Sequence, residues 1–127
     1  MTKPHLLQMG DYPEWDEAPL RAAFTVHRYD QAPDKGAFLA QIGTLVRGIA
    51  TSGGLGVSGA VIAACPKAEI ISVYGVGYDA VDMAAARARG IAVTNTPDVL
   101  NEDCADLAVA MLLALSRGLV GAEAWAR

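Results

Sequence analysis

Short runs rich in β-branched residues alternate with helical stretches through the first hundred residues, and no other feature narrows the possible folds as far. "HLLQMG" (5–10) reads as a strand and "EWDEAPLRAAF" (14–24) as the amphipathic helix after it. "TVHRYD" (25–30) is a second strand, followed by "DKGAFLAQIG" (34–43), a helix closed by glycine. "TLVRGIAT" (44–51) makes a third strand, and "SGAVIAACP" (58–66) its helix, stopped by Pro66. "AEIISVY" (68–74) is the fourth strand, Asp79 and Asp82 lie near the start of the helical "AVDMAAARARG" (80–90), and "IAVTNT" (91–96) is the fifth strand.

Alternation at this spacing predicts a parallel sheet with helices on both faces. Five strands suit an α/β, flavodoxin-like, doubly wound order, in which ligands bind beyond the carboxyl ends of the strands. Four turns fall at those ends: "MGDYPEW", the turn at Gly53 and Gly54, the turn from Gly75 to Gly77, and "NTPDVLNED". Residues 1–100 form this expected domain. Residues 101–127 read as one long helix, apolar nearly all round between Leu107 and Leu115, with no glycine or proline to close it at "AWAR". So small a sheet does not enclose such a helix, so a further domain or a second copy of the chain is expected to cover it. A homodimer through 101–127 is the simplest arrangement.

Composition removes several classes of function. The chain has 127 residues, 53% of them apolar and 19% charged, which is a folded balance. The net charge is −4 with basic residues scattered, so no nucleic-acid footprint is expected. No apolar run approaches the roughly 20 residues of a membrane span, and the opening "MTKPHLLQMG" lacks the core and cleavage site of a signal peptide. A cytoplasmic protein is expected. Cys65 and Cys104 read as structural, and His5 and His27 lack ligand-spaced partners, so no metal site is expected.

Two glycine turns invite a dinucleotide reading. Gly54-Leu55-Gly56-Val57-Ser58-Gly59 spells G-x-G-x-x-G, and Gly75-Val76-Gly77-Tyr78-Asp79-Ala80 is a looser G-x-G-x-x-A. A dinucleotide turn should be answered by an acid at the end of the next strand, where it holds the ribose. The next strands end in Val73-Tyr74-Gly75 and Thr94-Asn95-Thr96, and neither has one. Exposed backbone N–H groups at such glycines also suit a small anion, such as a carboxylate.

The stretch "AEIISVYGVGYDAVDMAAARARGIAVTNTPDVLNEDCADLAVAMLLALSRGL" resembles the D-isomer-specific 2-hydroxyacid dehydrogenases, closest to the glyoxylate and hydroxypyruvate reductases. The resemblance covers residues 66–127, and the order of earlier elements fits it. It implies the N-terminal part of the substrate-binding (catalytic) domain. The Val76 and Gly77 N–H groups would bind the substrate carboxylate, Tyr74 and Gly75 would line the pocket, and the loop at Gly53, Gly54 and Leu55 would face it. Cys104 stands where relatives often carry a threonine close to the nicotinamide. The resemblance further implies a second domain, with the dinucleotide turn, the substrate-clamping arginine and the glutamate–histidine pair. None of these is seen in this sequence, so no catalytic residue is assigned and no cofactor is expected on this chain, which reads as a truncated piece of a larger enzyme. That enzyme would use NADPH or NADH to reduce a small 2-oxo acid to the 2-hydroxy acid.

The alternative is a free-standing flavodoxin-like module for small-anion binding or signalling. A receiver domain would need an aspartate at the end of the third strand, where Thr51 and Ser52 stand, and a flavodoxin would need a hydroxyl-rich loop in place of "MGDYPEW". The acids Asp11, Glu14, Asp16 and Glu17 read as charge at a helix start, Asp106 as a solvating or capping group, and Arg87 and Arg89 as a solvated helical face.

Overall fold

The computed structural model describes residues 2–127. It divides into a sheet-bearing unit that ends at Thr96 and a helical unit, Pro97–Arg127. In the first unit the elements alternate as expected: β1 (His5–Gln8), α1 (Glu14–Ala23), β2 (Thr25–Arg28), α2 (Lys35–Ile42), β3 (Val46–Ser52), α3 (Gly59–Ala64), β4 (Ile70–Tyr74), α4 (Met83–Ala88) and β5 (Ala92–Thr94). All strand pairs are parallel, in the order β2-β1-β3-β4-β5. This is the flavodoxin-like order, and its switch point lies between β1 and β3.

Three helices start on side-chain caps. Asp34 accepts from the Ala37 N–H, Ser58 from Val61 and Asp82 from Ala85. Each satisfies an amide that the first helical turn would otherwise leave without a partner. In β4 the residues alternate strictly: Ile71 and Val73 are buried while Ile70, Ser72 and Tyr74 are exposed. Ile71 and Val73 join Leu7 and Ile49 beneath Val61, Ile62 and Cys65 of the α3 segment and Ala86 of α4, forming the main core. Each large side chain buried there contributes roughly 1.5–3 kcal/mol. Burial pushes the Cys65 thiol up to about 11, against the opposing pull of Arg89. On the other sheet face, Leu20 and Phe24 of the α1 segment stand over Leu6, Ala50 and Ser72 and leave a cavity of about 560 Å³.

One charged group differs from the sequence reading, and a second makes a contact the reading did not include. Glu17 is buried rather than simply lining a helix start. Its Oε1 accepts from Arg28 Nη1 (2.8 Å), Gln8 Nε2 (3.1 Å) and the Tyr12 N–H (3.2 Å), and its Oε2 from Arg21. β1 and β2 bring Gln8 and Arg28 to it, a convergence that helix spacing does not reveal. Arg89 is exposed, as the sequence reading has it, and it also reaches the neighbouring helix. Its guanidinium donates to the carbonyls of Ile62 and Cys65 (3.1 Å for the latter), where a cation complements the carboxyl end of α3.

The second unit corrects the single long helix. Residues 101–127 form α5 (Asn101–Ser116) and α6 (Leu119–Ala126), bent by 61°. Gly118 makes the break with φ of 60°, a left-handed conformation that glycine adopts without strain. Leu107, Leu112 and Leu115 are 62%, 67% and 80% exposed, so the apolar surface read from the sequence lies open. Asp106 is exposed on α5 and caps nothing. Among the described residues no single helix is long and apolar enough to cross a membrane; only the bent pair α5 and α6 reaches that length together.

Candidate functional site

The carboxyl ends of β1, β3, β4 and β5 carry the loops that form the site. After β1, Gln8 Nε2 holds the Gly10 carbonyl at 2.7 Å, and Glu17 holds the Tyr12 N–H. The Tyr12 ring is thereby set against that of Tyr74, with centroids 5.1 Å apart, and its hydroxyl donates to the Thr51 carbonyl at 2.8 Å. Burial, then Tyr74 and Asp16, push the Tyr12 phenol up to about 12. Asp16 Oδ2 is buried without a hydrogen bond of full geometry. As nearby acceptor and then as charge, Asp16 raises the Tyr74 phenol above its ordinary value. Both phenols therefore stay neutral near pH 7.

After β3 and β4 the two glycine turns lie against each other. A Cβ on Gly53 would stand 2.6 Å from the Gly77 carbonyl oxygen, so only glycine fits there. Gly75 has φ of 136°, a conformation reserved for glycine. From the end of β5, Asn95 Nδ2 donates to the Val76 carbonyl at 2.7 Å and the Thr96 N–H to the Gly75 carbonyl at 2.9 Å. Among the described residues no acceptor receives the N–H of Val76 or of Gly77. Both residues are exposed, and nothing lies within 4 Å of where a Gly77 Cβ would be. Two successive free N–H groups at an open turn can hold a small anion through two charge-assisted hydrogen bonds.

The full G-x-G-x-x-G is taken up by the chain itself. Val57 pairs with Val81 in a parallel bridge, and a Cβ on Gly56 (φ +61°) would meet the Ala80 carbonyl oxygen at 2.0 Å. A Cβ on Gly59 would lie 2.6 Å from Asp82 Oδ2, so a carboxylate stands at the start of α3. Its backbone is closed and its charge is wrong for a pyrophosphate, so these residues do not fit a dinucleotide.

Residues 9–124 match the catalytic domain of the D-isomer specific 2-hydroxyacid dehydrogenases. The chain belongs to that family. A 2-ketogluconate reductase from Gluconobacter oxydans is 36% identical over 99% of this chain and 39% of its own length. A solved 2-hydroxyacid dehydrogenase from Ketogulonicigenium vulgare is 66% identical, with a TM-score of 0.95 over all of this chain and 40% of that one. An NADPH-dependent glyoxylate/hydroxypyruvate reductase from Sinorhizobium meliloti, solved with NADP and malonate, is 41% identical. It has a TM-score of 0.75 over 89% of this chain and 34% of its own. The chain thus spans about two fifths of the length of the curated dehydrogenase relatives it matches.

Of the residues expected at the site, Gly53, Tyr74, Gly75, Val76 and Gly77 come together at the ends of β3 and β4. Gly54 is exposed beside them with nothing within 4 Å of its Cβ direction. Cys104 lies exposed in the first turns of α5, in the separate helical unit, and is not the buried thiol its residue type suggested. Tyr12 and Asn95 were not singled out. Both sit in turns recognised as strand ends, "MGDYPEW" and "NTPDVLNED", and that location was the only signal for them.

Proposed function

We propose that this chain is the substrate-gripping part of an NADPH- or NADH-dependent 2-oxo acid reductase of the glyoxylate/hydroxypyruvate class. The observation that carries the reading is the pair of unpartnered N–H groups at Val76 and Gly77, on an open turn at the carboxyl end of β4. They hold the substrate carboxylate, with Tyr74 and Gly75 beside it and the Gly53–Gly54 loop facing it. Gripped by two hydrogen bonds, the 2-oxo acid presents its carbonyl carbon in a fixed orientation, which lowers the entropic part of the barrier. The Sinorhizobium relative was solved with malonate, itself a carboxylate, which supports a carboxylic acid as ligand of the complete enzyme.

The dinucleotide, which supplies the hydride, binds elsewhere in the complete enzyme, whose remaining length also carries the arginine, glutamate and histidine of the chemistry. Cys104 approaches the nicotinamide there. Alone, the 127-residue chain is catalytically silent, and two copies associate through the apolar surface of α5. The complete enzyme works in the cytoplasm.

Gly77→Val tests the grip. The open space around the Gly77 Cβ position and its ordinary φ let the fold accept the larger side chain, which then covers the approach to the two N–H groups. In the complete enzyme, KM for glyoxylate or hydroxypyruvate should rise at least tenfold, as expected for lost ground-state contacts. Unchanged KM in a folded variant would sink the carboxylate role. NAD(P)H oxidation by the 127-residue chain alone would sink the division of labour.

A further inference from the structure

We propose that Asn95 is a positioning residue, which with the Thr96 N–H sets the direction of both carboxylate-gripping N–H groups. The inference rests on the carboxylate reading given above. A peptide unit is planar and trans, so its C=O and N–H point in opposite directions. The Gly75 carbonyl shares its plane with the Val76 N–H, and the Val76 carbonyl shares its plane with the Gly77 N–H. These are the two carbonyls tethered at the end of β5: Gly75 O by the Thr96 N–H at 2.9 Å, Val76 O by Asn95 Nδ2 at 2.7 Å. Anchoring each carbonyl turns its own N–H away from the β5 exit, so two successive donors are aimed by a single strand end.

The turn needs such an anchor. Gly75 and Gly77 flank Val76, and both lack the side chain that would restrict rotation of the intervening peptides. A flipped Val76–Gly77 peptide would present a carbonyl oxygen to the carboxylate and replace attraction with repulsion. The Thr96 contact continues the β4–β5 ladder, whose last paired residues are Ser72 and Thr94, so ordinary strand pairing supplies the first tether. Only the second comes from a side chain. The Val76 oxygen can only accept, so the Asn95 amide must turn its nitrogen toward it, which fixes the assignment on chemical grounds. A carboxylate at the same position would set acceptor against acceptor. Asn95 need not touch substrate; it acts through the Val76–Gly77 peptide.

The test is a titration of the ¹⁵N-labelled chain with oxamate, a non-reacting carboxylate shaped like a small 2-oxo acid, followed by amide NMR. In the unaltered chain the Val76 and Gly77 signals should shift and saturate. In Asn95→Asp and Asn95→Ala, binding should weaken about tenfold, the scale of one lost hydrogen bond to a group that aligns an anion site. Without oxamate, both substitutions should shift or broaden the Val76 and Gly77 signals and leave the core amides of Ile71 and Val73 in place. Equal oxamate affinity in the unaltered chain and Asn95→Asp would overturn the positioning role and leave the carboxylate reading standing. Val76 and Gly77 signals unmoved by oxamate in the unaltered chain would overturn that reading, and this inference with it.

Discussion

Replacing Glu17 with alanine probes the group that ties the first strand end to the sheet. The substitution strands the Tyr12 N–H and removes one carboxylate partner from Arg28, whose side chain is 20% exposed, and one from Arg21, which is 56% exposed. Breaking a fully buried pair costs about 3–5 kcal/mol. Here Asp30 still holds Arg28 by two hydrogen bonds of 2.9 and 2.7 Å, and Arg21 is screened by solvent. The expected loss is therefore smaller, about 2–3 kcal/mol, out of a total near 5–15 kcal/mol for a domain of this kind. Glu17→Gln keeps an oxygen for Tyr12 and Arg28 and should lose about 1 kcal/mol. The exposed neighbour Glu14, by contrast, should matter by less than about 0.5 kcal/mol. Urea unfolding followed by far-ultraviolet circular dichroism measures all three. The Tyr12 phenol should also titrate below its raised value of about 12 in Glu17→Ala, because its loop loosens. If Glu17→Ala were no less stable than Glu14→Ala, the buried-hub account would be wrong.

Other expectations follow from the same structure. Burial and then His5 lower the His27 pKa below 6.5, so the unfolded chain takes up its proton first as pH falls. Stability should thus be full above about pH 6.5, decline below it until His27 also protonates in the folded chain, and lose part of this slope in His27→Gln; identical slopes would contradict it. Cys104 is exposed and Cys65 buried, so Ellman's reagent should label one thiol quickly and the second only on unfolding, whereas two fast thiols would show an open core. The proposed pairing through α5 predicts a dimer mass by light scattering at high micromolar concentration and a monomer for Leu112→Glu. A variant that still pairs would move the interface elsewhere.

The strand and helix order was legible because each element carries its own local pattern, and the resemblance singled out the glycine turn at Gly75 to Gly77, which is open and leaves two N–H groups free. What escaped reading depended on distant partners. Glu17 looks like any acid in a first helical turn until β1 and β2 bring Gln8 and Arg28 beside it. Gly56 completes a dinucleotide spelling, yet its lack of a side chain serves the approach of Ala80, 24 residues along the numbering. The break at Gly118 was visible as a glycine, but the apolar runs at 107–115 and 119–120 masked it as one continuous helix. Asn95 offered only its place in a strand-end turn, because its contact depends on which carbonyl the fold brings to it.

The alternation along β4 has a consequence for how proteins of this shape can change. Val73 points into the core while its neighbour Tyr74 faces Tyr12 at the site. Inserting or deleting one residue between Ile70 and Tyr74 would exchange the two, putting a phenol among aliphatic side chains and removing the ring that Tyr12 stacks upon. A two-residue change would keep the faces but carry the glycine turn about 6–7 Å along the strand, out of reach of Asn95. The length of β4 therefore acts as a ruler shared by the core and the glycine turn. Change around this turn has to come through the loops after β1 and β3, or by replacing side chains, with the span from Ile70 to Gly77 kept constant.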